Sequence, residues 1–178
     1  KLKKGLLDRN ELVLSFDDGF KDNSTIVIPV LSRCKVPAIF FISPTMPESG
    51  FLIWNNRAWF LLNTRNGHGS LHWRGQTLTL KSEFERLRAR DFINQILAPM
   101  KEEERATVIK EFADALGSPF RVPENAAIML NRDDISDMIA CSLVEFGSHS
   151  MTHPLLPLCD DEQRVKEVSG SKKELEAV

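Results

Sequence analysis

Two short apolar runs about twenty residues apart constrain this chain more than any other feature. The first, Leu12, Val13, Leu14, Ser15 and Phe16, stops abruptly at Asp17-Asp18-Gly19. The second, residues 36–42, runs from Val36 to Ile42 and is closed by Ser43-Pro44. Runs this short, rich in strand formers and bounded by turn residues, predict buried strands. Between them, residues 23–34 place Ile26, Val30 and Leu31 on one helical face. Pro29 either kinks that helix or marks its start, and residues 25–28 also suit an extended chain. Strand, crossover and strand in about thirty residues make a βαβ unit, which demands parallel pairing. A third run, residues 143–148, predicts another short strand leading into His149.

Residues from about 51 to 135 read as a mostly helical insertion into this α/β plan. Trp54, Ala58, Leu61 and Leu62 keep helical spacing, with Asn66-Gly67 as a stop. Residues 70–80 alternate around Arg74-Gly75, the signature of a hairpin. Ser82 with Glu85 forms a capping box for a helix carrying Phe84, Leu87, Ile93 and Ile96. A further helix turns Ala106, Ile109, Ala113 and Leu116 inward and stops at Gly117. Asn131 with Asp134, and Asp160 with Gln163, open two more helices; on the last, Val165, Val168 and Leu175 share a face. No repeat or linker divides residues 1–178, so a single domain is expected.

Charge excludes one class of function. Lys and Arg total 23 against 25 Asp and Glu, a net charge of -2, whereas nucleic-acid binders cluster basic residues for the phosphate backbone. Three scattered cysteines, Cys34, Cys141 and Cys159, make neither a disulfide framework nor a cysteine zinc site. No apolar run approaches the roughly 20 residues of a transmembrane helix. Unpaired cysteines lean toward the cytoplasm, while an envelope or secreted location stays open because the chain starts at Lys1 and any leader is out of view.

The chemistry gathers at strand ends. Parallel sheets and β/α barrels bind ligands at the carboxyl ends of their strands. Asp17 and Asp18 leave the first strand there, and His149 leaves the third, with His153 four residues on. Imidazoles at i and i+4 face the same side of a helical turn, so two nitrogens reach one ion. Two histidines and one carboxylate form a three-ligand set for catalytic zinc, and a neighbouring carboxylate is then available as a general base. His68 and His72 share the same spacing but sit around a glycine-flanked hairpin, and are read as surface residues. Trp54, Trp59 and Trp73 have faces suited to sugar rings, though the helical spacing of Trp54 assigns it to the core.

At these residues the chain resembles the polysaccharide deacetylases, the NodB-homology carbohydrate esterases. The resemblance rests on Ser15-Phe16-Asp17-Asp18-Gly19-Phe20 and His149-Ser150-Met151-Thr152-His153-Pro154, with residues 36–41 and the helix after the histidines also similar. It implies a distorted (β/α) barrel of fewer than eight strands. It implies Asp17 as catalytic base, and Asp18, His149 and His153 as ligands of a divalent metal: zinc first, with cobalt, nickel or manganese also suited. The implied substrate is an acetylated glycan, N-acetylated before O-acetylated. Ser150 and Thr152 are expected to shape the histidine loop through their hydroxyls. The family's later arginine and histidine motifs have no counterpart, since the four histidines are at 68, 72, 149 and 153. The chain is therefore expected to be the N-terminal larger part of such a domain. A catalytically silent sugar-binding or regulatory module would keep the same metal cradle. A ferrous oxygenase would use the same donor types.

Overall fold

The computed structural model describes residues 12–44, 52–63, 69–117 and 128–177. In chain order these form β1 (Leu14–Phe16), a π-helical turn (Asn23–Val27) running into α1 (Ile28–Cys34), and β2 (Ala38–Ile42). The insertion follows as α2 (Trp54–Asn63), the hairpin β3 (Ser70–Trp73) and β4 (Gln76–Thr79), then α3 (Glu83–Leu97), α4 (Glu102–Ala115) and α5 (Arg132–Ile139). The chain returns through β5 (Val144–Ser148) and a 3-10 turn (Leu156–Leu158). It finishes in one helical run: α6 (Asp161–Val165), a π-helical turn (Lys166–Gly170) and α7 (Ser171–Glu176). No helix among the described residues is long and apolar enough to cross a membrane, and the three cysteines are unpaired.

β1, β2 and β5 form a parallel sheet in the order β1-β2-β5, with Phe16 opposite Phe40 and Ile42 opposite Ser148. Neither β1 nor β5 pairs with any strand but β2 among the described residues, which therefore hold an open α/β sheet and no barrel. Its covered face packs Ala38, Phe40 and Ile42 against Leu31 of α1, Ile135 and Met138 of α5, and Leu175 of α7. The Phe16 and Phe40 rings stack at 5.1 Å. The alternate residues Ser15, Ile39 and Glu145 share the other face. The first apolar run is not the buried strand its composition predicts. Leu12 is 92% exposed and Leu14 40%, because the strand order leaves β1 at the edge.

Pro29 is the second residue of α1 inside a continuous helical run, and the π-helical turn just before it is a local departure from α geometry where a residue without an N–H is accommodated. Only Leu31 of the expected face turns inward, while Ile26 and Val30 stay exposed. The insertion builds a second core, with Leu61 and Leu62 of α2, Leu71 of the hairpin, Ile93 and Leu97 of α3, and Ile109 and Phe112 of α4. The predicted capping boxes at Ser82, Asn131 and Asp160 all form. Phe84 and Ala106 do not face inward as expected; both are exposed. Arg105 is buried instead, at 2% exposure. Its guanidinium donates to the carbonyls of Leu97 (2.9 Å) and Ala98 (3.2 Å) and stacks 4.6 Å from the Trp54 ring. It thereby adds a donor to carbonyls at the end of α3, where the intrahelical ladder runs out and Leu97 O otherwise accepts only from Met100 N–H at 3.1 Å among the described residues. In the final run Val165 (63% exposed) and Val168 are on the outside, and Glu167 and Ser171 are buried beside Leu175's contact with the sheet.

Candidate metal centre

The loop after β1 is shaped by two consecutive left-handed residues, Asp18 and Gly19, each with φ 72°. Gly19 N–H donates to Asp17 O at 2.9 Å, closing a tight turn that swings Asp18 back over the end of the sheet. Asp tolerates this region better than most residues. Gly19 is needed there twice, since a Cβ would also sit 3.0 Å from Ile42 Cγ2. Residues 128–130 hold the turn from outside: Leu130 N–H donates to Gly19 O (2.9 Å) and Lys21 N–H to Ile128 O (2.7 Å).

A second anchor is ionic. Lys21 Nζ meets both Asp134 oxygens at 2.5 and 2.6 Å, while Asp134 also accepts from Asn131 N–H at the start of α5. Burial would raise the Asp134 carboxyl, but the Asn131 and Lys21 hydrogen bonds outweigh it and hold it below the usual 3.8. A depressed carboxylate contributes stability that is present above its unfolded value and is lost as pH falls through the folded one. Asp134→Ala is therefore expected to lower stability by about 1 kcal/mol at neutral pH, cap and screened ion pair combined. Its deficit relative to wild type should shrink below about pH 4, as read from urea denaturation at several pH values. A deficit that persists unchanged at pH 3 would exclude the ionic part.

The histidines arrive from the other side. His149 follows β5 directly; its N–H donates to Ile42 O (2.9 Å) and its carbonyl accepts from the buried Ser43 Oγ (2.9 Å). Residues 149–153 do not form the helical turn expected from their spacing. Ser150 (φ 63°) and His153 (φ 59°) are both left-handed, and Ser150 Oγ accepts from His153 N–H at 3.1 Å. The imidazoles converge through this irregular loop. Ser150 and Thr152 do shape it with their hydroxyls, the latter by donating to Glu167 Oε1 at 2.7 Å.

Three donors meet as a result. His149 Nε2 lies 3.2 Å and His153 Nε2 3.3 Å from Asp18 Oδ1, and the two nitrogens are 3.1 Å apart. Donors about 2.0–2.1 Å from a tetrahedral zinc stand about 3.3–3.4 Å from one another, so this triangle has the edges of one face of such a site. Two imidazoles and a carboxylate are also the donor chemistry that suits the ion. The residues fit a divalent metal, with one side left open. Hydrogen bonding from His153 holds the Asp18 carboxyl below its usual value against the opposing effect of burial, with the nearby His149 adding to the shift. His153 Nδ1 is buried with no hydrogen-bond partner among the described residues. Asp17 stands next to Asp18 with an exposed side chain.

The other sequence candidates fall elsewhere. His72 is exposed on β3, hydrogen-bonded to Ser70 and Thr77 at 3.0 Å each, and His68 lies outside the described residues. Trp54 packs against the helical core, and Trp73 donates to Glu111 at 2.9 Å and packs on Phe112. Glu167 is the residue that sequence reasoning missed: its carboxylate accepts the N–H groups of Met151 and Thr152, both at 2.8 Å. An acidic residue amid charged neighbours on an exposed-looking helix gives no sign of this.

A family model described as polysaccharide deacetylase matches residues 4–178. No curated protein and no solved structure gives a significant match.

Proposed function

Because the chain belongs to the polysaccharide deacetylase family, we propose that it removes acetyl groups from sugars of a polysaccharide or oligosaccharide with a divalent ion held by Asp18, His149 and His153. Amide-linked N-acetyl groups are proposed ahead of O-acetyl esters, and zinc ahead of cobalt, nickel or manganese. The observation that carries the reading is the convergence of the three donors at edges of 3.1–3.3 Å. The fold proposed with it is a distorted (β/α) barrel within one domain. In support, parallel sheets are normally covered on both faces, and the helices α1, α5 and α7 cover one face of this one.

When bound, the ion supplies a Lewis acid that activates water near neutral pH and polarises the acetyl carbonyl. Asp17, exposed on the same turn, is the proposed base, taking a proton from the attacking water as the new carbon–oxygen bond forms. The carbon–nitrogen bond then breaks as the departing nitrogen takes up the proton that Asp17 removed from the water, leaving acetic acid, which ionises to acetate, and a free amino sugar. Asp18 and the histidines stay fixed through these steps.

The direct test is acetate release by the zinc-loaded full-length protein from N-acetylated chitooligosaccharides and from O-acetylated xylan. Release from the first and little from the second is expected. Release from the ester substrate alone would reverse the substrate assignment. Sugar binding with no acetate from either would leave the silent-module reading in its place.

A further inference from the structure

We infer that Glu167 is a positioning residue for this centre, its carboxylate holding the histidine loop in the shape that brings the two imidazole nitrogens together. The inference rests on the metal reading above. The loop needs a restraint, because non-glycine residues in the left-handed region, here Ser150 and His153, are strained. Part of that restraint is internal, from Ser150 Oγ to His153 N–H. The rest comes from outside. Glu167 Oε2 accepts the N–H groups of Met151 and Thr152, and Oε1 accepts the Thr152 hydroxyl. Three residues between the two histidines are thus bracketed by one side chain and one hydroxyl.

Glu167 is 9% exposed, and a buried carboxylate is tolerated only where its oxygens are well supplied with donors. These three supply it, and none of them is a metal-facing atom. Its helix is also fixed close to the loop. Ser171, one turn on, hydrogen-bonds Ser148 at the end of β5, and a Cβ on Gly170 would stand 3.0 Å from Met151 Cε. Glu167 lies in the π-helical turn Lys166–Gly170, where one extra residue per turn redirects side chains, a feature frequent at functional sites. Glu167 also lines a cavity of about 230 Å³, together with residues of the first turn of α4 and with Met151 and Thr152 of the loop. Water entering there can reach the N–H groups freed by truncation, so Glu167→Ala should fold with a loosened loop.

Cobalt(II) alone, titrated into the full chain and followed by its visible absorption and by calorimetry, tests this. Wild type is expected to bind one ion. Glu167→Ala should bind roughly 10- to 100-fold more weakly, the usual cost of losing a ligand's support, with a shifted visible band. Glu167→Gln, which keeps the shape and one acceptor, should recover most of the affinity. A folded Glu167→Ala protein with wild-type affinity and spectrum would overturn the role while leaving the metal site standing. Wild type that binds no cobalt would remove the metal reading and this role together. Should Glu167→Ala fail to fold, Thr152→Val removes one bond alone, and a spectrum and affinity unchanged in it would also count against the role.

Discussion

Asp18→Asn is expected to cost the chain roughly 10²–10³-fold in divalent-ion affinity while leaving it folded. Asn occupies the left-handed region as readily as Asp, so the turn at φ 72° survives the change. What changes is the donor: a carboxylate becomes a neutral amide, and the depressed charge between His149 and His153 disappears. Structural zinc sites of four ligands bind with about 10–16 kcal/mol, so one ligand accounts for about 3–4 kcal/mol, which corresponds to that fold-change. Calorimetry with zinc reads the affinity, and circular dichroism checks the fold. Equal zinc binding by the two proteins would remove Asp18 from the ligand set.

Asp17→Asn should do the opposite. Its side chain is exposed and stands outside the triad, so zinc affinity should stay within a few-fold of wild type. Acetate release should fall by about 10²–10⁴, the usual contribution of a positioned general base. The loss should lie in kcat more than in KM, because a proton transfer contributes to the transition state and little to binding. A variant that loses metal along with activity would make Asp17 a ligand. One that keeps full activity would leave the base unassigned. Together the two substitutions separate neighbouring carboxylates that composition alone cannot tell apart.

Local chemistry made much of this structure legible beforehand. The strands β2 and β5 follow from apolar runs bounded by turns, and the boxes at Ser82, Asn131 and Asp160 from short-range hydrogen bonding. Asp18, His149 and His153 could be grouped because a parallel sheet delivers its strand ends to one rim. What escaped depends on partners distant in the chain. The exposure of β1 is set by strand order, which composition does not carry. Arg105 is inward because the Leu97 and Ala98 carbonyls at the end of α3 and the Trp54 face receive its guanidinium. The histidine loop abandons its helical spacing because Ser150 Oγ takes the His153 N–H that a helical turn would have given to the His149 carbonyl, while Glu167 holds the N–H groups of Met151 and Thr152. In each case a tertiary hydrogen bond or an edge position overrode the local pattern.

Anomalous diffraction at the zinc edge from crystals grown with one equivalent of zinc bears most directly on the metal centre. The expected map has one strong peak, about 2.0–2.1 Å from Asp18 Oδ1, His149 Nε2 and His153 Nε2. A peak held by other residues, or none at these three, would contradict it.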